Sequence, residues 1–266
     1  HKRYAESLLS QERYRNAAEM VMWQFKQNKI HALLIKDGIM STCYEPREVR
    51  ALDRVRILVD EGQEAKIHSL MRSMDFQKRE NWKGPGEFYY RVPKTTVVFY
   101  TDLGFRTKHL RKYFDFPVKV IRLMEGEKFL HQFTENEFYI YLVCDLVNQY
   151  ARGEIRISDM VDYWQFYKVY KDRLDWEYVE KELESARISD FAHRLQDLAF
   201  IWFGDQHERY AKEYDEEADV YETMELYILT RGAQGREESA KLTELVKEMS
   251  DIQSRKRREE REELEK

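Results

Sequence analysis

The sequence predicts an α+β fold: a small sheet with flanking helices, followed by an all-helical region. Three observations carry that expectation. Glycine and proline number only 10 and 4 among 266 residues, too few for a sandwich of many tight turns. Runs of apolar and β-branched residues that read as strands fall before Pro117. Beyond Thr134 the texture changes to long helical stripes.

The elements follow in order. Between Tyr4 and Asn28, Leu8, Leu9, Tyr14, Ala18, Met22 and Phe25 recur at roughly helical spacing, so residues 1–29 form an N-terminal helix. The apolar run Ile30 to Ile35, closed by Lys36-Asp37-Gly38, reads as a buried strand ending in a turn, and Arg54 to Asp60 reads as a second strand. Ala65, Ile67, Leu70, Met71 and Met74 return to helical spacing. Gly84-Pro85-Gly86 is the strongest turn. Phe88 to Val92 and Thr96 to Tyr100, parted by Pro93-Lys94, form a hairpin. Residues 30–130 thus make an α/β domain.

Residues 131–235 make the helical domain. Thr134 with Glu137 is a capping-box start, and Phe138, Tyr141, Leu142, Leu146 and Tyr150 form one stripe. Helices are expected over Ile157 to Tyr170, Trp176 to Ala186 and Ser189 to Phe203, the last with Ser189 as N-cap and Gly204 as C-cap. Residues 236–266 read as a polar helix or tail, with acids and bases nearly balanced after Asp251.

Charge excludes some functions. Fifty acids against 45 bases give a formal net charge of −5, which is no footprint for non-specific nucleic-acid binding. Cys43 and Cys144 lack a CxxC spacing, so neither structural zinc nor a disulfide framework is expected. No apolar run approaches the ~18–20 residues that span a bilayer, and the first ten residues carry no apolar signal core. The expectation is a cytoplasmic protein without membrane contact.

From Ala32 to Phe76 the chain resembles a widespread bacterial group of uncharacterised nucleotidyltransferases within the polymerase-beta-like superfamily. The resemblance rests on Ile35-Lys36-Asp37-Gly38, Tyr44, Arg50, Ile57-Leu58-Val59-Asp60 and the helix ending Met74-Asp75-Phe76, where relatives tend to have a Leu-Gly-Tyr type ending. It continues through Tyr141 to Tyr150, Ile155-Arg156, Asp159, Asp162, Phe203-Gly204 and Tyr227 to Gly235. It implies a nucleotidyltransferase-like mixed sheet and magnesium-assisted transfer of a nucleotidyl group.

The departures bear on chemistry. The positions expected to carry the two metal-binding aspartates are Arg54 and Arg56; a third acidic position aligns with Phe99; and histidines common in the family correspond to Asp145 and Gln149. Magnesium needs oxygen ligands, because the attacked phosphate and the departing pyrophosphate both gather negative charge. Asp-x-Asp suits a strand since residues i and i+2 share a face, and that geometry now presents two guanidiniums. They either grip an anion through forked hydrogen bonds or meet acids such as Asp53, Asp37 or Asp60 in a salt-bridge network. Asp53, one residue before Arg54, is expected on the opposite face, whereas Asp60 shares their face at the strand end.

The resulting expectation is a catalytically degenerate family member that binds an anionic, nucleotide-like ligand or a protein partner. Candidate ligand or phosphate contacts are Lys36, Gly38, Arg50, Arg54, Arg56 and Asp60; no catalytic residue and no metal ligand is nominated. No cofactor is expected, with Mg2+ entering only under the alternative of an active transferase using Asp37, Asp60 and Asp102. Pairing with another chain, as an oligomer or as a subunit beside an active relative, is a further open reading. His31 reads as a satisfied core histidine, and His68, His109, His131, His193 and His207 lack metal-ligand spacing. Arg156 and Asp162 read as a buried structural pair, and Trp164, Trp176 and Trp202 as helix-packing core.

Overall fold

The stripe on the first helix decides which face of the sheet is covered. Helix α1 (Lys2–Gln27) buries Tyr14, Ala17, Ala18, Val21 and Phe25, positions that recur every three or four residues and so share one side. This computed structural model describes residues 2–46, 50, 52–93, 95–105, 108–114, 121–204 and 218–233. The tail expected over 236–266 lies outside the described residues. The chain divides into two units, one of residues 1–141 and 168–186, the other of residues 142–167 and 187–266.

The first unit holds the whole sheet. Its strands are β1 (Ala32–Leu34), β2 (Val55–Val59), β3 (Gln77–Lys78), β4 (Glu87–Arg91), β5 (Thr95–Tyr100), β6 (Ile121–Leu123) and β7 (Leu130–Phe133). They lie in the order β3-β4-β5-β2-β1-β7-β6. The sheet is mixed: β2 with β5 and β1 with β7 run parallel, and the other neighbours antiparallel. The expected hairpin is the β4–β5 pair, with Phe88 opposite Val98. The short strands β3, β6 and β7 carry too few residues to show a period of two.

Strand alternation sorts the side chains. Ala32, Val55, Ile57, Val59, Val97 and Phe99 join Phe25 and Val21 of α1 in one core, with the rings of Phe25 and Phe99 5.4 Å apart. Ile67 and Met71 of α3 (Glu64–Ser73) complete it. Residues of the other parity, Arg56, Leu58, Val98 and Tyr100, therefore face the opposite side. There Phe105, Phe114, Phe133 and Tyr141 form a second apolar cluster, with Phe133 and Tyr141 stacked at 5.3 Å. The unit also contains α2 (Asp37–Met40), α4 (Lys108–Tyr113), the first turns of α5 (Glu135–Arg152), and α7 (Trp176–Ser185). The α5 start is capped as expected, Glu137 donating its backbone N–H to Thr134 Oγ1 at 3.4 Å.

Helix ends explain how so few glycines suffice. Asp75 has φ +64° just past α3, where its N–H bonds the carbonyl of Arg72 and that of Phe76 bonds Met71. This is the Schellman arrangement, which favours glycine at that position. Lys29 ends α1 in the same way, with φ +56°.

The second unit is helical over its described residues: the rest of α5, most of α6 (Ile157–Tyr170), α8 (Ser189–Phe203) and α9 (Ala218–Ala233). Trp164 lies across Phe200 at 5.2 Å, and Tyr150 meets both Phe191 and Tyr227. Three expectations are corrected. Ser189 is the first helical residue of α8, and the N-cap is Ile188, without a side-chain cap. Arg156 is exposed while Asp162 is buried, and Asp159 caps the Arg156 N–H at 3.1 Å, so the buried Arg156–Asp162 pair does not form. Trp176, in the first unit, is 38% exposed. Among the described residues no helix is long and apolar enough to cross a membrane.

Candidate functional site

The approach to β2 is fixed before the strand begins. Tyr14 of α1 donates its hydroxyl to the backbone carbonyl of Asp53 at 2.8 Å, and Thr96 of β5 donates to the same carbonyl at 2.9 Å. Gln11 accepts the Leu52 N–H at 2.8 Å. Held this way, Asp53 turns its carboxylate toward the arginines. Oδ2 accepts from Arg54 at 3.0 Å and Oδ1 from Arg56 at 3.1 Å. The expectation that Asp53 would face away is corrected: it precedes the strand, so alternation does not govern it.

A second ion pair stands nearby. Arg50 Nη1 and Asp37 Oδ1 are 2.7 Å apart, each side chain only 9% exposed. Burial opposes the charge on Arg56, yet Asp53 and then Asp37 outweigh it and raise its pKa. The charges alternate through Arg50, Asp37, Arg56, Asp53 and Arg54. Within this series three guanidiniums meet two carboxylates. The Asp37 Oδ2 and Asp60 Oδ1 atoms are buried without a hydrogen bond among the described residues.

The remaining candidates are placed as follows. Lys36 is buried immediately before α2, and Gly38 is exposed within it. Asp60 is half-buried just past β2. Phe99 is corrected as the third site position: it lies in the core on the α1 side, and the β5 residue beside Arg56 is Val98. Neither is a carboxylate. Asp102 Oδ1 caps the Gly104 N–H. Asp145 and Gln149, in the second unit, bond each other at 2.7 Å across one helical turn. Cys144 is buried, and burial pushes its thiol well above the ordinary range. Among the described residues no three His, Cys, Asp or Glu side chains gather to hold an ion.

Sequence reasoning missed two features of the first unit. His31 Nδ1 and His131 Nε2 are 2.8 Å apart, a contact that parallel pairing of Leu33 with His131 makes possible and that nothing local announces. A cavity of about 570 Å3 is lined by α1 through Gln11, Tyr14, Arg15, Ala18, Glu19 and Met22, by Asp37, Gly38, Ser41, Thr42 and Arg50 around α2, and by His131, Gln132 and Phe133 of β7. Its signal was present: Gln11 is a buried polar residue on an otherwise apolar stripe.

A family model described as an uncharacterised nucleotidyltransferase matches residues 1–204. Comparison with curated proteins and with solved structures finds no match.

Proposed function

The chain belongs to the uncharacterised nucleotidyltransferase family, and from that premise we propose that it is a catalytically degenerate member that binds a phosphate-bearing, nucleotide-like ligand at Arg54 and Arg56. One observation carries the reading. Where the resemblance expects two magnesium-binding carboxylates stand two guanidiniums, and both oxygens of Asp53 beside them are engaged by those same guanidiniums. Magnesium does not fit this donor set, since it needs carboxylate oxygens that are not already neutralised by arginine.

Anion binding has the better electrostatics. Arg54 and Arg56 are 29% and 27% exposed, and each guanidinium carries five N–H donors, of which Asp53 takes those facing it. Two guanidiniums that share one carboxylate favour a phosphate over a neutral group, and the forked geometry of arginine suits its oxygens. The chain's own residues therefore bind and orient; no transfer step is assigned to them.

A second reading, an active transferase using atypical acids, draws on the buried Asp60 Oδ1 that carries no hydrogen bond among the described residues. Calorimetric titration with each nucleoside triphosphate, with Mg2+ and with EDTA, separates the two when coupled to a pyrophosphate assay. Binding that survives EDTA and weakens at least about tenfold in Arg54→Ala/Arg56→Ala is expected. Mg2+-dependent binding with pyrophosphate release, abolished by Asp60→Ala, favours the active enzyme.

A further inference from the structure

We propose that the cavity between α1, α2 and β7 is a binding site for an uncharged small molecule that combines a ring face with hydroxyl groups, as nucleosides and sugars do. Gly38, Arg50 and, from β2, Val55 line it but neither Arg54 nor Arg56 does, so its ligand is separate from the phosphate proposed for those two arginines.

Size and lining make it a site. About 570 Å3 falls within the range of ligand pockets, roughly 300–1,000 Å3. The walls combine apolar surface from Ala18, Leu34 and Leu130 with the rings of Tyr14, Phe133 and Tyr170. Those rings supply faces against which a flat or pyranose ring packs.

Charge then selects the ligand. Arg15 and Arg50 face Glu19, Asp37 and Glu135 among the described lining residues. Arg50 is matched by Asp37, and Glu135 is held by Arg173 from outside the lining. Arg15 and Glu19 add one charge of each sign to the lining, so the cavity is close to neutral. A triphosphate would gain little attraction there and lose its hydration, which is costly for charged groups.

Neutral hydrogen bonding is what the cavity offers instead. Gln11 spends its carbonyl oxygen on the Leu52 N–H, leaving its amide N–H donors. Gln132 contributes a second amide, and Thr42, whose hydroxyl donates to the Ile39 carbonyl and lies 2.8 Å from that of Tyr170, contributes an accepting oxygen. Amides and hydroxyls of this kind pair with hydroxyls and with the edges of heterocyclic bases.

The test is calorimetric titration of the full chain with adenosine, maltotriose and ATP without metal. Adenosine or maltotriose is expected to saturate with a Kd under about 1 mM, and ATP to bind the cavity at least about tenfold more weakly. Gln132→Trp should reduce affinity for the neutral probe at least about tenfold, whereas Arg54→Ala/Arg56→Ala should leave it unchanged. If Gln132→Trp does not fold, as judged by its melting curve, Thr42→Trp on the exposed rim takes its place. ATP affinity that falls in Arg54→Ala/Arg56→Ala but not in the blocking variant belongs to β2 and leaves the cavity's preference intact. No saturation by either neutral probe, affinity indifferent to the blocking variant, or ATP outcompeting adenosine inside the cavity would overturn the proposal.

Discussion

Arg50 and Asp37 form a buried ion pair, and removing either partner takes away the counter-charge that the other contacts directly. At 2.7 Å the direct attraction is about 6 kcal/mol for an effective dielectric of about 20. Desolvation offsets much of it, since both side chains are 9% exposed. The measurable consequence comes from breaking the pair, which typically costs about 3–5 kcal/mol because the remaining buried charge loses its direct counter-ion. Arg50→Met and Asp37→Ala should each lose that much. The double variant should recover most of it, because no uncompensated charge remains. The chain has two units, so a single global transition is a poor probe. Native-state hydrogen exchange of the β1 and β2 peptides reads the first unit directly. Each single variant should speed exchange there by about two to four decades, and the double variant by about one or less. Losses below about 1 kcal/mol in the single variants, or additive losses in the double, would refute the assignment of this pair as a coupled buried unit.

Asp75→Gly and Lys29→Gly should each stabilise the first unit by about 0.5–1 kcal/mol, as relief of the left-handed backbone exceeds the added freedom of the unfolded chain; a lowered melting temperature would count against the helix-end argument. Asp53→Asn removes the shared counter-charge of Arg54 and Arg56 and should tighten ATP binding at least about fivefold in titration, whereas weaker binding would mean that Asp53 orients the arginines productively. The Tyr113 and Tyr178 hydroxyls lie 2.6 Å apart, and burial raises both above the ordinary tyrosine value. The neutral forms are thus favoured in the fold: their stability is complete below pH ~10 and lost as pH rises through the raised values, by up to about 1.36 kcal/mol per pH unit for each group. Tyr113→Phe should flatten that alkaline decline, and an unchanged slope in denaturation series between pH 9 and 11 would argue against it.

Legibility followed periodicity. The α1 helix, the apolar side of β2 and the β4–β5 hairpin declare their spacing within a few residues and form where expected, although Leu9 of the expected α1 stripe is exposed. Elements two to four residues long, such as β3, β6 and β7, leave no period to read, and the β1–β7 pairing joins segments about 100 residues apart. At the site, the two arginines were visible because a strand keeps i and i+2 together. Asp53 was legible as one of the acids that could meet them, but its direction was not, because it stands in the bend before β2, where alternation does not apply. Phe99 shows the cost of a one-residue slip: in a strand it moves a residue from the candidate face into the core. The cavity is assembled from three separated segments, and only Gln11, polar within an apolar stripe, hinted at it.

Crystals soaked in Mn2+ and a non-hydrolysable ATP analogue give the most direct reading of the β2 site by anomalous scattering. Analogue phosphates against Arg54 and Arg56 are expected, with no manganese peak there. A manganese ion coordinated by Asp37, Asp53 or Asp60 oxygens beside those arginines would contradict that expectation.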